Sequence, residues 1–162
     1  MIIRPSQKLA TKLKLPKLQP LSADPNPFAD WSANLFLVSR TPYVILTNTT
    51  SLFSVILPAT GLTTEGRFVN AASNALQSFL EDDDLDALHW ECIAPSTASV
   101  QFAGPLNRSV TGSMNDLILG AKLWLAEGGP TLNEVTVQLN ETPLSYLDYS
   151  SPREAFLAMS TG

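Results

Sequence analysis

The sequence predicts an α+β domain: a mainly antiparallel sheet around a central three-strand meander, with two main helices packed on it and a short N-terminal helix. Three observations predict it. Apolar and β-branched residues crowd into three runs between residues 34 and 57. Apolar spacing then changes to three and four residues over 64–81, and a second helical run follows Ser113. With 162 residues, 44% of them apolar and 15% charged, the chain can bury its own core and is read as one domain, 1–162.

Each element has a local cause. Residues 2–4 are a short apolar strand. Ser6 stands as an N-cap before Leu9 and Leu13, whose i, i+4 spacing makes a short helix with Lys8 and Lys12 on a neighbouring stripe, ended near Pro16. Residues 16–30 hold Pro16, Pro20, Pro25 and Pro27 and form an extended surface loop. Residues 34–39 and 43–48 pair as a hairpin around Arg40-Thr41-Pro42, and 52–57 adds a third strand halted by Pro58.

Phe68, Ala72, Ala75, Leu76, Phe79 and Leu80 mark the helix over 64–81. Asp82, Asp83 and Asp84 oppose its negative dipole end, which places the stop near Glu81. Residues 88–94 and 98–103 read as two more strands around Pro95-Ser96-Thr97. Ser113 to Asp116 resembles a capping box opening the second helix, which Gly128-Gly129-Pro130 ends. Residues 134–139 read as a last strand, with Val135 and Val137 alternating against polar neighbours, and 152–159 as a short closing helix.

Charge is unevenly placed within the formal net of −5. Arg4, Lys8, Lys12, Lys14 and Lys17 lie within the first 18 residues with no acid among them, so a +5 leader precedes a −10 body. Such a leader can attract nucleic acid, but without interleaved aromatic residues it reads better as solvated or docked on the acidic body. Cys92 stands alone, which excludes an intramolecular disulfide and a multi-thiolate zinc site. No run of about 18 apolar residues occurs and the first residues lack a secretory apolar stretch. The expectation is a cytoplasmic protein with no cofactor, no metal, no nucleic acid and no membrane partner.

Three groups could carry chemistry. His89 and Cys92, each the only one of its kind, would point to opposite faces of a strand and could not pair. On a helix they could share a face, but Trp90 and Ile93 suit a buried strand, and the expectation is a buried structural cysteine and a partly exposed histidine. Asp82, Asp83, Asp84 and Asp86 lack the sharp-turn glycine and distal glutamate of a calcium loop and read as a solvated cap. The stretch from Arg108 to Asp116 sets an arginine, hydroxyls and an amide at a predicted helix start, where backbone N–H groups favour an anion. The candidate ligand-binding residues are Arg108, Ser109, Ser113, Asn115 and Asp116, with Lys8 and Trp31. Against this stand Asp116 in the first turn and the simpler role of Ser113 as a cap. The leading expectation is therefore a non-enzymatic interaction or regulatory protein with a protein partner. The alternative is binding or processing of a phosphate- or carboxylate-bearing small molecule or nucleotide at that helix start.

Several segments together resemble one family. They are Met1-Ile2-Ile3-Arg4 with Lys8-Leu9 and Lys12-Leu13, Trp31 with Asn34-Leu35-Phe36, Arg108-Ser109 with Gly112-Ser113-Met114-Asn115-Asp116, and Asn140-Glu141-Thr142-Pro143. The chain is similar along nearly its whole length to small bacterial proteins grouped as a domain of unknown function. Pro5-Ser6 departs from that family, which often carries Cys or Thr after the opening Arg. The resemblance implies a bacterial, cytoplasmic, single-domain protein and brings no activity with it.

Overall fold

A computed structural model describes residues 1–161. Its elements, in chain order, are β1 (Ile2–Pro5), α1 (Gln7–Lys12), β2 (Asp30–Val38), β3 (Thr41–Asn48), β4 (Ser54–Pro58), α2 (Glu65–Asp82), α3 (Asp86–Leu88), β5 (Gln101–Phe102), α4 (Arg108–Ala126), α5 (Leu132–Glu141) and α6 (Pro152–Ala158). The five strands form one sheet in the order β4-β3-β2-β1-β5.

The α+β class holds, while the sheet is mixed instead of mainly antiparallel. The meander β2-β3-β4 is present, with Trp31 opposite Asn48 and Thr47 opposite Ser54. It fills one side of the sheet, because β1 pairs in parallel with both β2 and β5. A parallel partner needs a crossover, and the helix and long loop after β1 supply it.

Helices cover both faces. Leu9 of α1 and Leu13 just after it, Phe68, Ala72, Leu76 and Leu80 of α2, and Phe156 of α6 pack with Ile3, Trp31, Ala33 and Phe53. The opposite face carries Phe36, Ile45 and Ile56 against Val110, Met114 and Leu117 of α4 and Val135 and Leu139 of α5. Phe156 stacks on Phe53 at 4.3 Å and meets Phe28 edge-on at 5.1 Å, so the last helix closes the first cluster.

Caps explain where several helices begin. Ser6 Oγ accepts from the N–H of Leu9, and Thr64 Oγ1 accepts from that of Arg67. The cap of α4 is Asn107, whose side chain accepts from the N–H of Val110, six residues before the expected cap at Ser113. Ser113 lies within the helix and its Oγ donates to the Ser109 carbonyl.

Two expected strands are helical. Residues 88–94 continue α3 as a π turn over His89–Ile93, which buries His89 and Ile93 and leaves Trp90 54% exposed. Of the strand expected over 98–103, Gln101–Phe102 pairs with β1. The strand expected over 134–139 lies inside α5, opened by a capping box in which Thr131 and Glu134 each bond the other's backbone N–H. Its buried residues Val135, Thr136, Leu139 and Asn140 follow a helical stripe, so the alternation of Val135 and Val137 misdirects.

Candidate functional site

The site begins with a buried charge. Arg4 lies in β1, 2% exposed, beside Asp30 of β2. Its Nε and Nη2 donate to the two carboxylate oxygens of Asp30 at 2.8 and 2.9 Å. The remaining N–H groups donate to the carbonyls of Leu21, Ser22 and Gly104 at 2.9 to 3.0 Å. All five guanidinium donors are therefore used. Asp30 also accepts from the N–H of Asp24 and from Thr49 Oγ1. Burial pushes the Asp30 carboxyl upward, but the bonds from Arg4, Asp24 and Thr49 outweigh it and hold the pKa below the usual value. One ion pair thus ties β1 and β2 to the proline-rich loop and to the segment after β5.

Those segments frame a groove of about 900 Å³. Adjacent parallel strands β1 and β5 send their chains to opposite faces, β1 into α1 and β5 into α4. Where two neighbouring parallel strands diverge in this way, a crevice opens beyond their carboxyl ends. Pro5 to Lys8 form one lip and Gly104 to Asn107 the other, with Leu15 to Leu18 beside them. Ser32, Asn34 and Leu35 line it from β2, and Val110, Thr111, Met114, Asn115, Ile118 and Lys122 line it from α4.

Its charge is one-sided. Lys8, Lys17 and Lys122 line the groove together with Arg4, and no Asp or Glu does. All three lysines are solvent-exposed, whereas Arg4 is already paired. In a chain of net −5, a groove without a carboxylate concentrates positive potential.

The groove offers binding groups and little to activate a nucleophile. Ser32 Oγ lies 2.9 Å from Thr49 Oγ1, which donates its one proton to Asp30 at 2.8 Å. Ser32 is therefore the donor in its pair with Thr49. The chain ends on a carboxylate held ionised by Arg4, a weak base. Neither His89 nor Cys92 lines the groove.

The expected ligand residues divide. Lys8 and Asn115 meet in the groove. Arg108, Ser109 and Asp116 are exposed on the first turns of α4 and do not line it, and Ser113 bonds within the helix. Trp31 is fully buried and its Nε1 donates to the Phe28 carbonyl, a core role. Asn107 is the cap of α4 and already satisfies an N-terminal N–H. Sequence reasoning does not single out Lys17 and Lys122 as ligand residues. Thr111 lies within the stretch from Arg108 to Asp116, and Asn34 reads from sequence as a strand residue closing backbone hydrogen bonds, yet both line the groove. The acid-free leader was a signal for Lys17, since three of its five cations, Arg4, Lys8 and Lys17, converge there.

The other two groups are placed as follows. Burial is the reverse of the expected one: His89 is 4% exposed, with no hydrogen-bond partner for its Nδ1 among the described residues, whereas Cys92 is only partly buried. The cause is that the segment is helical and turns His89 inward with Ile93. Burial lowers the His89 pKa, against an opposing pull from Glu81. Asp83 pairs with Arg153 at 2.9 Å, tying the end of α2 to α6. Among the described residues no three His, Cys, Asp or Glu side chains converge as metal ligands, and no helix is long and apolar enough to cross a membrane.

A comparison with curated proteins finds no match. The family comparison does: residues 2–155, from β1 into α6 and including both lips of the groove, match a domain of unknown function (DUF6933), and the chain belongs to that family.

Proposed function

We propose that the protein is a non-enzymatic binding module, cytoplasmic and bacterial, whose groove at the ends of β1 and β5 takes a ligand bearing phosphate or carboxylate groups. The observation that carries this reading is the convergence of Lys8, Lys17 and Lys122 in a groove without carboxylates, on a chain that is acidic elsewhere. The anion-binding reading thus moves from the Arg108 end of α4 to the flank facing β1 and α1. Binding without turnover is favoured because Ser32, the hydroxyl nearest a carboxylate relay, ends on an Asp30 neutralised by Arg4.

The test is a thermal-shift and calorimetric comparison using phosphate, citrate and nucleoside triphosphates as probes. Intact protein should bind at least one of them with an affinity that falls as salt rises. Combined Lys8→Ala, Lys17→Ala and Lys122→Ala should abolish that binding and leave the fold intact, since all three side chains are exposed. Arg108→Ala should leave binding unchanged. Retained binding in the triple variant refutes the proposal.

A further inference from the structure

We infer that the occupant of the groove is an extended acidic and apolar segment of a partner protein, a reading that rests on the anion-binding groove above. Length is the first reason. Val110, Met114, Ile118 and Lys122 line it at intervals of four residues, so it follows α4 for about 18 Å at the helical rise. About six extended residues span that distance, whereas a single phosphate would meet only one part of it.

Composition is the second reason. Leu15, Leu18 and Leu35, which are half-buried, and Leu106, which is 37% exposed, give the groove apolar surface beside Thr111, Asn115 and Lys122, which are exposed. A strand-like peptide presents alternate side chains to opposite sides, which lets apolar groups meet the wall while carboxylates reach the lysines.

The third reason lies outside the groove. Leu119 and Leu123 are 60% and 69% exposed and stand one position beyond Ile118 and Lys122 on α4. A small ligand would leave both in water. A protein lying along α4 would cover them, and apolar side chains exposed beside a charged groove are characteristic of an interaction surface.

The experiment is fluorescence anisotropy of the full chain with capped, labelled peptides that alternate Glu with Leu, two, four and six residues long. Matching Lys-Leu peptides are the control. Affinity should rise at least about tenfold from two residues to six, weaken with salt, and be absent for the Lys-Leu series. It should fall separately in the triple lysine variant and in Leu119→Ser with Leu123→Ser, whose side chains are exposed. If phosphate or a nucleotide binds through the lysines and the peptides show no gain with length, the peptide proposal is overturned and the anion-binding groove stands. If neither peptides nor small anions bind, both are overturned.

Discussion

All five N–H groups of Arg4 end on acceptors of its own chain, and that completeness sets the cost of disturbing it. Arg4→Met strands a buried Asp30 charge and should destabilise the protein by about 3–5 kcal/mol in denaturant unfolding. Adding Asp30→Leu should recover part of that loss; a double variant weaker than the single would refute the account. His89 makes the second prediction. The unfolded imidazole takes a proton near pH 6.5, but the folded one does so only at lower pH because its ring is buried and Nδ1 has no partner. Its contribution is therefore complete above pH 6.5 and is lost as pH falls through and below that value. Thermal melts should show the parent losing stability as pH falls below 6.5 while His89→Phe lacks that loss, so their pH slopes differ in that window and run parallel above it. Single residues were legible where their effect is local: Ser6 and Leu9 announce α1 without help from the rest of the chain. The partner of Arg4 was not legible, because 26 residues separate it from Asp30.

Between elements, the most informative contact is Asn140 of α5 against β4. Its Oδ1 accepts from Ser54 N–H and its Nδ2 donates to the Ser54 carbonyl, both at 2.8 Å. One side-chain amide thus behaves as a further strand residue on the free edge of β4, and Pro58 withholds a donor at the other end of that strand. Asn140→Ala would leave both buried backbone groups unpaired and should cost roughly 2–4 kcal/mol. Asn107→Ala, which removes one cap bond of α4, should cost only about 1 kcal/mol. Equal losses in chemical denaturation would count against the edge role. Helices α2 and α4 were readable from their apolar stripes, but not α5. Thr131-x-x-Glu134 is a clear start signal, yet the Val135 and Val137 alternation competes with it over a segment too short for period to decide. The same ambiguity misplaced residues 88–94, where burial of His89 and Ile93 with Glu91 exposed between them is helical, since a strand would bury all three.

In the assembled molecule the groove joins residues from both ends of the sequence. Lys8 and Lys17 belong to the leader, whereas Lys122 lies at the start of the last quarter of the chain, and only the divergence of β1 and β5 brings them together. No local pattern encodes that meeting, which is why the leader's charges read only as solvated or docked on the acidic body. It is instead part of the framework: Ile3, Leu9 and Leu13 are in the core. Deleting residues 1–18 should abolish cooperative unfolding in a thermal scan. A truncated chain that still melts sharply would show the leader to be dispensable.

The position of β1 between β2 and β5 also sets a timetable. On the ribosome β1 is made first, yet one of its edges stays open until residues 101–102 have emerged, roughly 100 residues later. At about 5–20 residues per second that exposure lasts about 5–20 seconds. During it, Ile2 and Ile3 lack their β5 neighbours and depend on pairing with β2 alone. The nascent chain should therefore be most vulnerable to aggregation and to chaperone capture midway through synthesis, and become resistant once β5 closes the sheet.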